Sequence, residues 1–127
     1  MARLRSKPTN AELDILRVLW ARGPSTVRDV ARALAREDAY TTVLKLLQNM
    51  TEKRLVVRDE SSRTHVYAPA RRAEQTKRLL VTDLIDRVFD GSAAQLVMQA
   101  LAGAEASRAE LDEISKLLAQ KKRGGRR

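Results

Sequence analysis

The chain has 127 residues, with 25 Lys and Arg against 16 Asp and Glu, a formal net charge of +9, and no cysteine. This length fits one compact domain plus a smaller region, and the lack of cysteine excludes disulfides, thiolate metal sites and cysteine nucleophiles. No apolar run approaches the roughly 18 residues of a membrane span, and the basic N-terminus lacks the apolar stretch of a signal peptide, so we expect a cytoplasmic protein without a membrane partner.

The positive charge is concentrated in the N-terminal half and at the C-terminus. Residues 1–70 carry 13 Lys and Arg against 8 Asp and Glu, and residues 71–120 carry 7 against 8. The final segment, KKRGGRR, adds five positive charges. This distribution favours contact between the N-terminal half and a polyanion, and a basic surface without a partner is the alternative.

Two helices are predicted within the first 37 residues, the first in PTNAELDILRVLWARG (8–23) and a shorter second one in STVRDVARALARE (25–37). Thr9 and Glu12 have capping-box spacing at the start of the first helix, and a Gly-Pro pair ends it. Either Ser25 or Thr26 is expected to cap the second helix. The residues expected to face inward are Leu13, Leu16, Leu19 and Trp20 in the first helix and Val27, Val30, Ala31 and Leu34 in the second.

A third helix is predicted from the segment DAYTTVLKLLQNMTEKRLV, residues 38–56, whose helical spacing ends after residue 54. Apolar residues recur in it at helical spacing, and this pattern predicts one buried stripe. That stripe consists of Val43, Leu46, Leu47 and Met50. The side that the apolar residues do not use is polar and carries Thr41, Thr42, Lys45 and Gln48. This polar side either faces solvent or lies against a partner.

After residue 54 the spacing of apolar residues changes from helical to alternating. Leu55–Arg58 and Thr64–Ala68 are predicted strands, joined by the polar run at 59–63, and Pro69 ends the second strand. The two strands form a hairpin. An isolated hairpin is marginal in water, so we expect this one to pack on the helices.

Residues 71–120 are predicted to form three amphipathic helices, with Ser92 capping the second and a Ser107–Glu110 capping box on the third. About 50 residues rarely sustain a core of their own, so we expect a homodimer. The residues expected at the dimer interface are Leu79, Leu80, Leu84, Val88, Leu96, Val97, Leu101, Leu111 and Leu118. The tail at 121–127 has no apolar residue and is predicted to be disordered.

These elements predict a mainly α fold. Residues 1–70 would form a winged helix-turn-helix domain, with three helices and a two-stranded β-hairpin wing, and residues 71–120 a helical dimerisation domain. In this fold the third helix enters the DNA major groove, where Thr and Gln can bond base edges and Lys45 can reach either a guanine or a phosphate. The candidate DNA-binding residues are Thr41, Thr42, Lys45, Gln48, Tyr40, Arg28, Arg58 and Arg63.

No catalytic, metal or cofactor site is predicted. The chain has no glycine-rich phosphate loop, no cluster of metal ligands, and a single histidine, His65, without an evident partner. We therefore do not expect an enzyme. The alternative to sequence-specific DNA binding is a winged-helix module that binds protein, or that binds nucleic acid without sequence preference.

Several segments carry a family resemblance. The LW pair of the first helix, TVRDV, AYTTV and the Y-x-P motif of the second strand resemble the penicillinase-repressor (BlaI/MecI) family in order and spacing, over about residues 9–69. The segment GSAAQLVMQAL extends the resemblance more loosely. It implies a homodimeric repressor of a palindromic operator before β-lactamase or related genes. By this likeness, Thr41, Thr42 and Lys45 lie on the recognition helix and Arg63 lies in the wing.

One departure from the family concerns induction. In some members a membrane sensor protease cuts between Asn and Phe in the dimerisation region. The corresponding pair here is Gln99-Ala100, which lacks the aromatic residue, so we do not expect that protease to be a partner. A copper-responsive branch uses cysteines, which this chain does not have.

Overall fold

The computed structural model describes residues 7–35, 39–103 and 105–124. Three helices are followed by a two-stranded antiparallel hairpin and then by further helices, which confirms the predicted mainly α, winged-helix fold. The elements in chain order are α1 (Asn10–Arg22), α2 (Val27–Ala33), α3 (Tyr40–Glu52), β1 (Val56–Asp59), β2 (Val66–Pro69), α4 (Ala73–Val88), α5 (Ala93–Gly103) and α6 (Arg108–Gly124).

Capping boxes begin the first two helices. At the start of α1, Thr9 Oγ1 accepts the Glu12 backbone N–H at 3.2 Å, and Glu12 Oε1 accepts the Thr9 N–H at 2.9 Å. The same exchange joins Thr26 and Asp29 at the start of α2, with both distances 3.1 Å. Thr26 is therefore the cap of α2, because the Ser25 hydroxyl donates to a backbone carbonyl of the preceding turn.

The core of the N-terminal region lies between α1, α2, α3 and the hairpin. Its buried apolar residues are Ile15, Leu16, Leu19, Val27, Val30, Ala31, Val43, Leu47, Met50, Leu55, Val56 and Tyr67. Four residues predicted to face inward are only partly buried and pack at the edge of this core: Leu13, Trp20, Leu34 and Leu46. Ile15 was not predicted to face inward, yet its exposure is 0%.

The hairpin pairs β1 with β2 in antiparallel register, with Val56 opposite Pro69. Each strand starts later than predicted, by one residue in β1 and by two in β2. Leu55 stays outside β1 because its N–H closes the end of α3, donating to the Met50 carbonyl at 2.9 Å. Pro69 is the last residue of β2 rather than the residue after it, a position where the missing N–H disrupts little pairing.

The turn before α2 is bonded to β2. Ser25 N–H donates to the Tyr67 carbonyl at 2.9 Å, and Tyr67 N–H donates to the Ser25 carbonyl at 2.8 Å. Both residues are buried, with Tyr67 only 1% exposed. This pair of bonds fixes the start of α2 beside the second strand, which brings the wing, the hairpin of β1 and β2 with its turn at residues 60–65, close to the helices.

By internal packing, the chain divides into two compact units, residues 1–84 and 85–127. The start of α4 belongs to the first unit, where Thr76 and Leu79 are buried and the Lys77 ammonium lies 5.9 Å from the centre of the Trp20 ring. The first packed unit thus extends beyond residue 70, the predicted end of the DNA-binding domain. The assignment of functions to residues 1–70 and 71–120 stays a prediction.

The second unit contains the end of α4 together with α5 and α6. Ser92 Oγ accepts the Gln95 N–H at 3.1 Å, as expected for a cap, and the predicted Ser107–Glu110 box is formed at 3.0 and 3.1 Å. Helix α6 runs to Gly124, so the first residues of the predicted disordered tail are helical. Positive side chains in a last turn interact favourably with the helix dipole. Residues 125–127 lie outside the described residues.

Candidate nucleic-acid interface

The polar side of α3 is exposed along its length, while the opposite side is buried in the core. Val43, Leu47 and Met50 have exposures of 1% or less. Four predicted DNA-binding residues lie on the exposed side of this helix: Thr41, Thr42, Lys45 and Gln48. The helix is therefore anchored by one side and presents hydroxyl, amide and ammonium groups on the other, which are groups that can hydrogen-bond base edges or phosphates.

The start of α3 differs from the starts of α1 and α2. Its N-cap, Ala39, provides no side-chain acceptor for the free amides of the first turn. Tyr40, the first residue of the helix, is 42% exposed, and the Arg28 guanidinium of α2 lies 5.8 Å from the centre of its ring. This distance is typical of a cation–π contact, so α2 and α3 present a cation and an aromatic ring together.

The wing carries two of the predicted arginines in different environments. Arg58 is engaged within the chain: it donates to Glu60 at 3.2 Å, and a hydrogen bond with the Tyr67 side chain, followed by the charge of Glu60, raises its pKa. Arg63 is exposed and forms no ion pair within the described part of the chain. Arg63 is thus better placed than Arg58 to meet an external anion.

The turn of the wing is ordered by short-range bonds. Asp59 Oδ1 accepts the Ser61 N–H at 2.9 Å, and bonds from the Ser61 side chain and backbone lower the pKa of Asp59. His65 Nε2 lies 3.8 Å from Glu60 Oε1. Within residues 7–35, 39–103 and 105–124 no group of three or more His, Cys, Asp or Glu is arranged to hold a metal ion.

The predicted dimerisation residues fall into three sets by exposure. Leu79 is buried in the first unit, with 9% exposure, so its side chain supports that unit rather than an exposed surface. Leu80 and Leu96 are half-buried. The others are at least 40% exposed: Leu84, Val88, Val97, Leu101, Leu111 and Leu118. Apolar side chains that the sequence analysis did not select, Val81, Met98 and Leu117, are equally exposed.

The pair that corresponds to the family's cleavage site lies on a helix. Gln99 and Ala100 lie within α5 and are exposed. Among the described residues, no helix is both long enough and apolar enough to cross a bilayer.

The chain is similar to a known family of proteins over most of its length. A model of the penicillinase repressor family matches residues 8–120, which include all eight predicted DNA-binding positions. The chain belongs to the penicillinase repressor family. This confirms the predicted family, and a family of transcriptional repressors is not a family of enzymes.

Relatives of this family member are found among curated proteins. It is 39% identical over 83 residues to the transcriptional regulator BlaI of two Mycobacterium tuberculosis strains, CDC 1551 / Oshkosh and ATCC 25618 / H37Rv. The alignment covers 63% of this chain and 60% of the relative, so less than two thirds of the relative's length is matched. The crystal structure of the transcriptional regulator Tm0710 from Thermotoga maritima is similar in fold, with a TM-score of 0.50 at 22% identity, over 91% of this chain and 77% of that one.

Two features near the interface were missed by the sequence analysis. Glu12 was recognised as a capping residue, but its burial and its bond to Lys53 Nζ at 2.8 Å were not. The backbone pairing of Ser25 with Tyr67, which sets the wing beside α2, was also missed. The capping box already explains Glu12, so no separate sequence signal indicates its contact with Lys53, and backbone pairing leaves no signal in side-chain identity.

Proposed function

We propose that the chain is a sequence-specific transcriptional repressor that binds a palindromic operator as a homodimer. In this proposal α3 is the recognition helix and lies in the major groove, with Thr41, Thr42 and Gln48 toward base edges. Lys45 reaches a base or a phosphate, and Arg28, Tyr40 and Arg63 contact the backbone. Arg58 contributes less, because Glu60 and Tyr67 already occupy its guanidinium.

The observation that carries this proposal is the two-sided character of α3. A helix whose apolar side is fully buried has a fixed rotation about its axis, so its polar side chains point in fixed directions. Direct readout needs such fixed directions, because each base pair presents its donors and acceptors at defined positions in the groove. The uncapped first turn supports the same interpretation, since free amides and the helix dipole favour a nearby phosphate.

The dimer is supported by the surface of the second unit. None of its described residues is buried, although α5 and α6 carry many apolar side chains. Two copies joined through this unit would present two recognition helices, and dimeric helix-turn-helix proteins bind half-sites about 34–36 Å apart. A palindromic operator follows from the two-fold symmetry of such a dimer.

The test is selection of duplexes from a randomised library by the full-length chain, followed by gel-shift against a scrambled competitor. We expect the selected duplex sequence to be palindromic. Lys45→Ala should weaken its binding, and Lys116→Ala is the matched control, because it removes the same charge from an exposed position of α6. If Lys45 contacts a phosphate, the salt slope should fall by about one unit; if it contacts a base, discrimination should fall by about 1–3 kcal/mol at one position.

Two outcomes would contradict the proposal. Equal affinity for all duplexes at physiological salt would indicate nucleic-acid binding without sequence preference. No affinity for any duplex would point to a module that binds protein instead.

A further inference from the structure

A cleft of about 300 Å³ opens between α2, α3 and the wing. It exists because the Ser25–Tyr67 backbone bonds hold the second strand beside the start of α2. The polar residues that line it are Thr26 and Arg28 from the start of α2, Tyr40 from α3, and Arg63, Thr64 and His65 from the wing.

The lining of this cleft is cationic. Arg28 and Arg63 reach it from different segments, and none of the described lining residues is acidic. Neither arginine pairs with a carboxylate in the described part of the chain; Glu60 in the turn of the wing bonds Arg58, and its Oε1 lies 3.8 Å from His65 Nε2. Two guanidinium groups on one concave surface, neither paired with a carboxylate among the described residues, attract an anion more strongly than either would alone.

The chemistry of the lining matches a phosphate. A guanidinium presents N–H groups in a planar fork that fits two oxygens of one phosphate, and charge-assisted bonds of this kind are about twice as strong as neutral ones. The contact between the Arg28 guanidinium and the Tyr40 ring restrains that side chain at the cleft, so less rotamer freedom is lost when an anion binds.

We propose that this cleft is a binding site for a phosphate-type oxyanion, and that a single backbone phosphodiester of the operator occupies it when DNA is bound. The cleft shares Tyr40 with the polar side of α3, so a phosphate bound there would lie next to the bases that Thr41 and Thr42 face. The identity of the phosphate source rests on the proposed function; the anion site itself does not.

The proposal makes a specific claim about the two arginines. Arg28 and Arg63 act on the same phosphate, although they belong to different segments of the chain. Residues that share one partner are coupled. Removing the charge of that phosphate should therefore lower the duplex affinity of wild type, and should lower it little further in a variant that lacks either arginine.

The first arm of the test uses the full-length chain without DNA. Inorganic phosphate is exchanged for chloride at constant ionic strength, and backbone amide resonances are followed by NMR. We expect saturable shifts around the cleft in wild type and in the control Arg78→Gln, which loses an exposed arginine of α4, and no such shifts in Arg28→Gln or Arg63→Gln.

The second arm uses the duplex selected by the chain, with single phosphates replaced one at a time by uncharged methylphosphonate. At one position per half-site we expect a loss of about tenfold in affinity for wild type and Arg78→Gln. The same replacement should cost Arg28→Gln and Arg63→Gln less than about twofold, because their contact is already lost.

Each combination of results supports or contradicts the proposed anion site. Coupling of both arginines to one duplex phosphate supports the operator as the source, whereas phosphate shifts without duplex coupling support a free phosphate or phosphorylated small molecule in the same site. If selected duplexes bind but no phosphate couples to both arginines and inorganic phosphate causes no cleft shifts, the site is overturned. If no duplex is preferred, the proposed function fails, and the phosphate titration alone decides the cleft.

Discussion

The two units of this protein use apolar residues in opposite ways. In residues 1–84, three helices and a hairpin bury a continuous core in which Ile15, Val30 and Leu47 are 0% exposed. In residues 85–127, α5 and α6 are regular helices with side-chain caps at their N-termini, yet none of the described residues is buried. The two units therefore differ in whether apolar side chains are buried within the described chain, and not in whether they contain such side chains.

This difference indicates where each unit obtains its stability. Fixing the backbone of one residue costs about 1–2 kcal/mol, and burial of apolar surface is the main term that offsets it. The first unit has that burial within one chain. The second unit has helix N-caps, each contributing only about 1 kcal/mol, and in the proposed dimer its helices gain apolar burial from a second copy of the chain.

The largest expected effect comes from removing the second unit. A chain ending at Leu84 keeps the buried Thr76 and Leu79 and should fold as a monomer. Its operator affinity should fall by about 10²–10⁴-fold, because the two half-sites no longer bind as one linked unit. Sedimentation and gel-shift measure both properties. An unchanged affinity, or a dimer that persists, would show that dimerisation does not depend on residues 85–127.

Truncation of leucines tests the same contrast within the full chain. Leu47→Ala should lower the free energy of unfolding by about 2–5 kcal/mol at every protein concentration, because it leaves a cavity in a complete core. Leu118→Ala should lower the melting temperature by an amount that depends on concentration, because in the proposed dimer its partner surface belongs to another chain. A Leu118→Ala effect independent of concentration would contradict an intermolecular role for α6.

Much of the fold could be predicted from the sequence, because it depends on local signals. Capping boxes at Thr9 and Ser107 and the change to alternating apolar residues after residue 54 are properties of neighbouring residues, and the structure contains each of them. The start of β1 lies one residue later than predicted, because the bond from Leu55 N–H to the Met50 carbonyl competes with strand pairing. Helical spacing alone did not reveal that Ile15 is buried.

The candidate site was less predictable, because its arrangement depends on distant segments. The polar side of α3 follows from helical spacing, and its exposure agrees with the prediction. The sequence did not distinguish Arg58 from Arg63, because the partners of Arg58 become neighbours only when the hairpin closes. The cleft near Arg28 depends on backbone pairing between Ser25 and Tyr67, which side-chain patterns do not encode.

The ion pair between Glu12 and Lys53 provides a test of the first unit with an intermediate expected effect on stability. Glu12 is 2% exposed, and its Oε1 accepts both the Thr9 N–H and Lys53 Nζ, so one carboxylate joins the start of α1 to the end of α3. Lys53→Met leaves that carboxylate without its cation. Because the Lys53 side chain is 28% exposed and water partly screens the pair, we expect a loss of about 1–3 kcal/mol in the free energy of unfolding.

A double variant checks that this loss belongs to the ion pair. Glu12→Gln combined with Lys53→Met removes both charges, so it should be no less stable than Lys53→Met alone. A loss in the double variant equal to the sum of the losses in Lys53→Met and Glu12→Gln would show that the two charges do not interact. Neither variant should change the concentration dependence of melting, because both residues lie in the first unit.

The smallest expected effect concerns the cap of α2. Hydrogen bonds with the Thr26 backbone and side chain lower the pKa of Asp29 from 3.8, so its carboxylate contributes stability that is fully present above that value and is lost as pH falls through the lowered pKa. Wild type should therefore exceed Asp29→Asn by about 0.3–1 kcal/mol near neutral pH, and the gap should close in acid. Denaturant unfolding across this pH range measures it. A gap that vanishes in about 1 M NaCl, where charges are screened beyond about 3 Å, would assign the effect to Arg22 and Arg32 rather than to the cap.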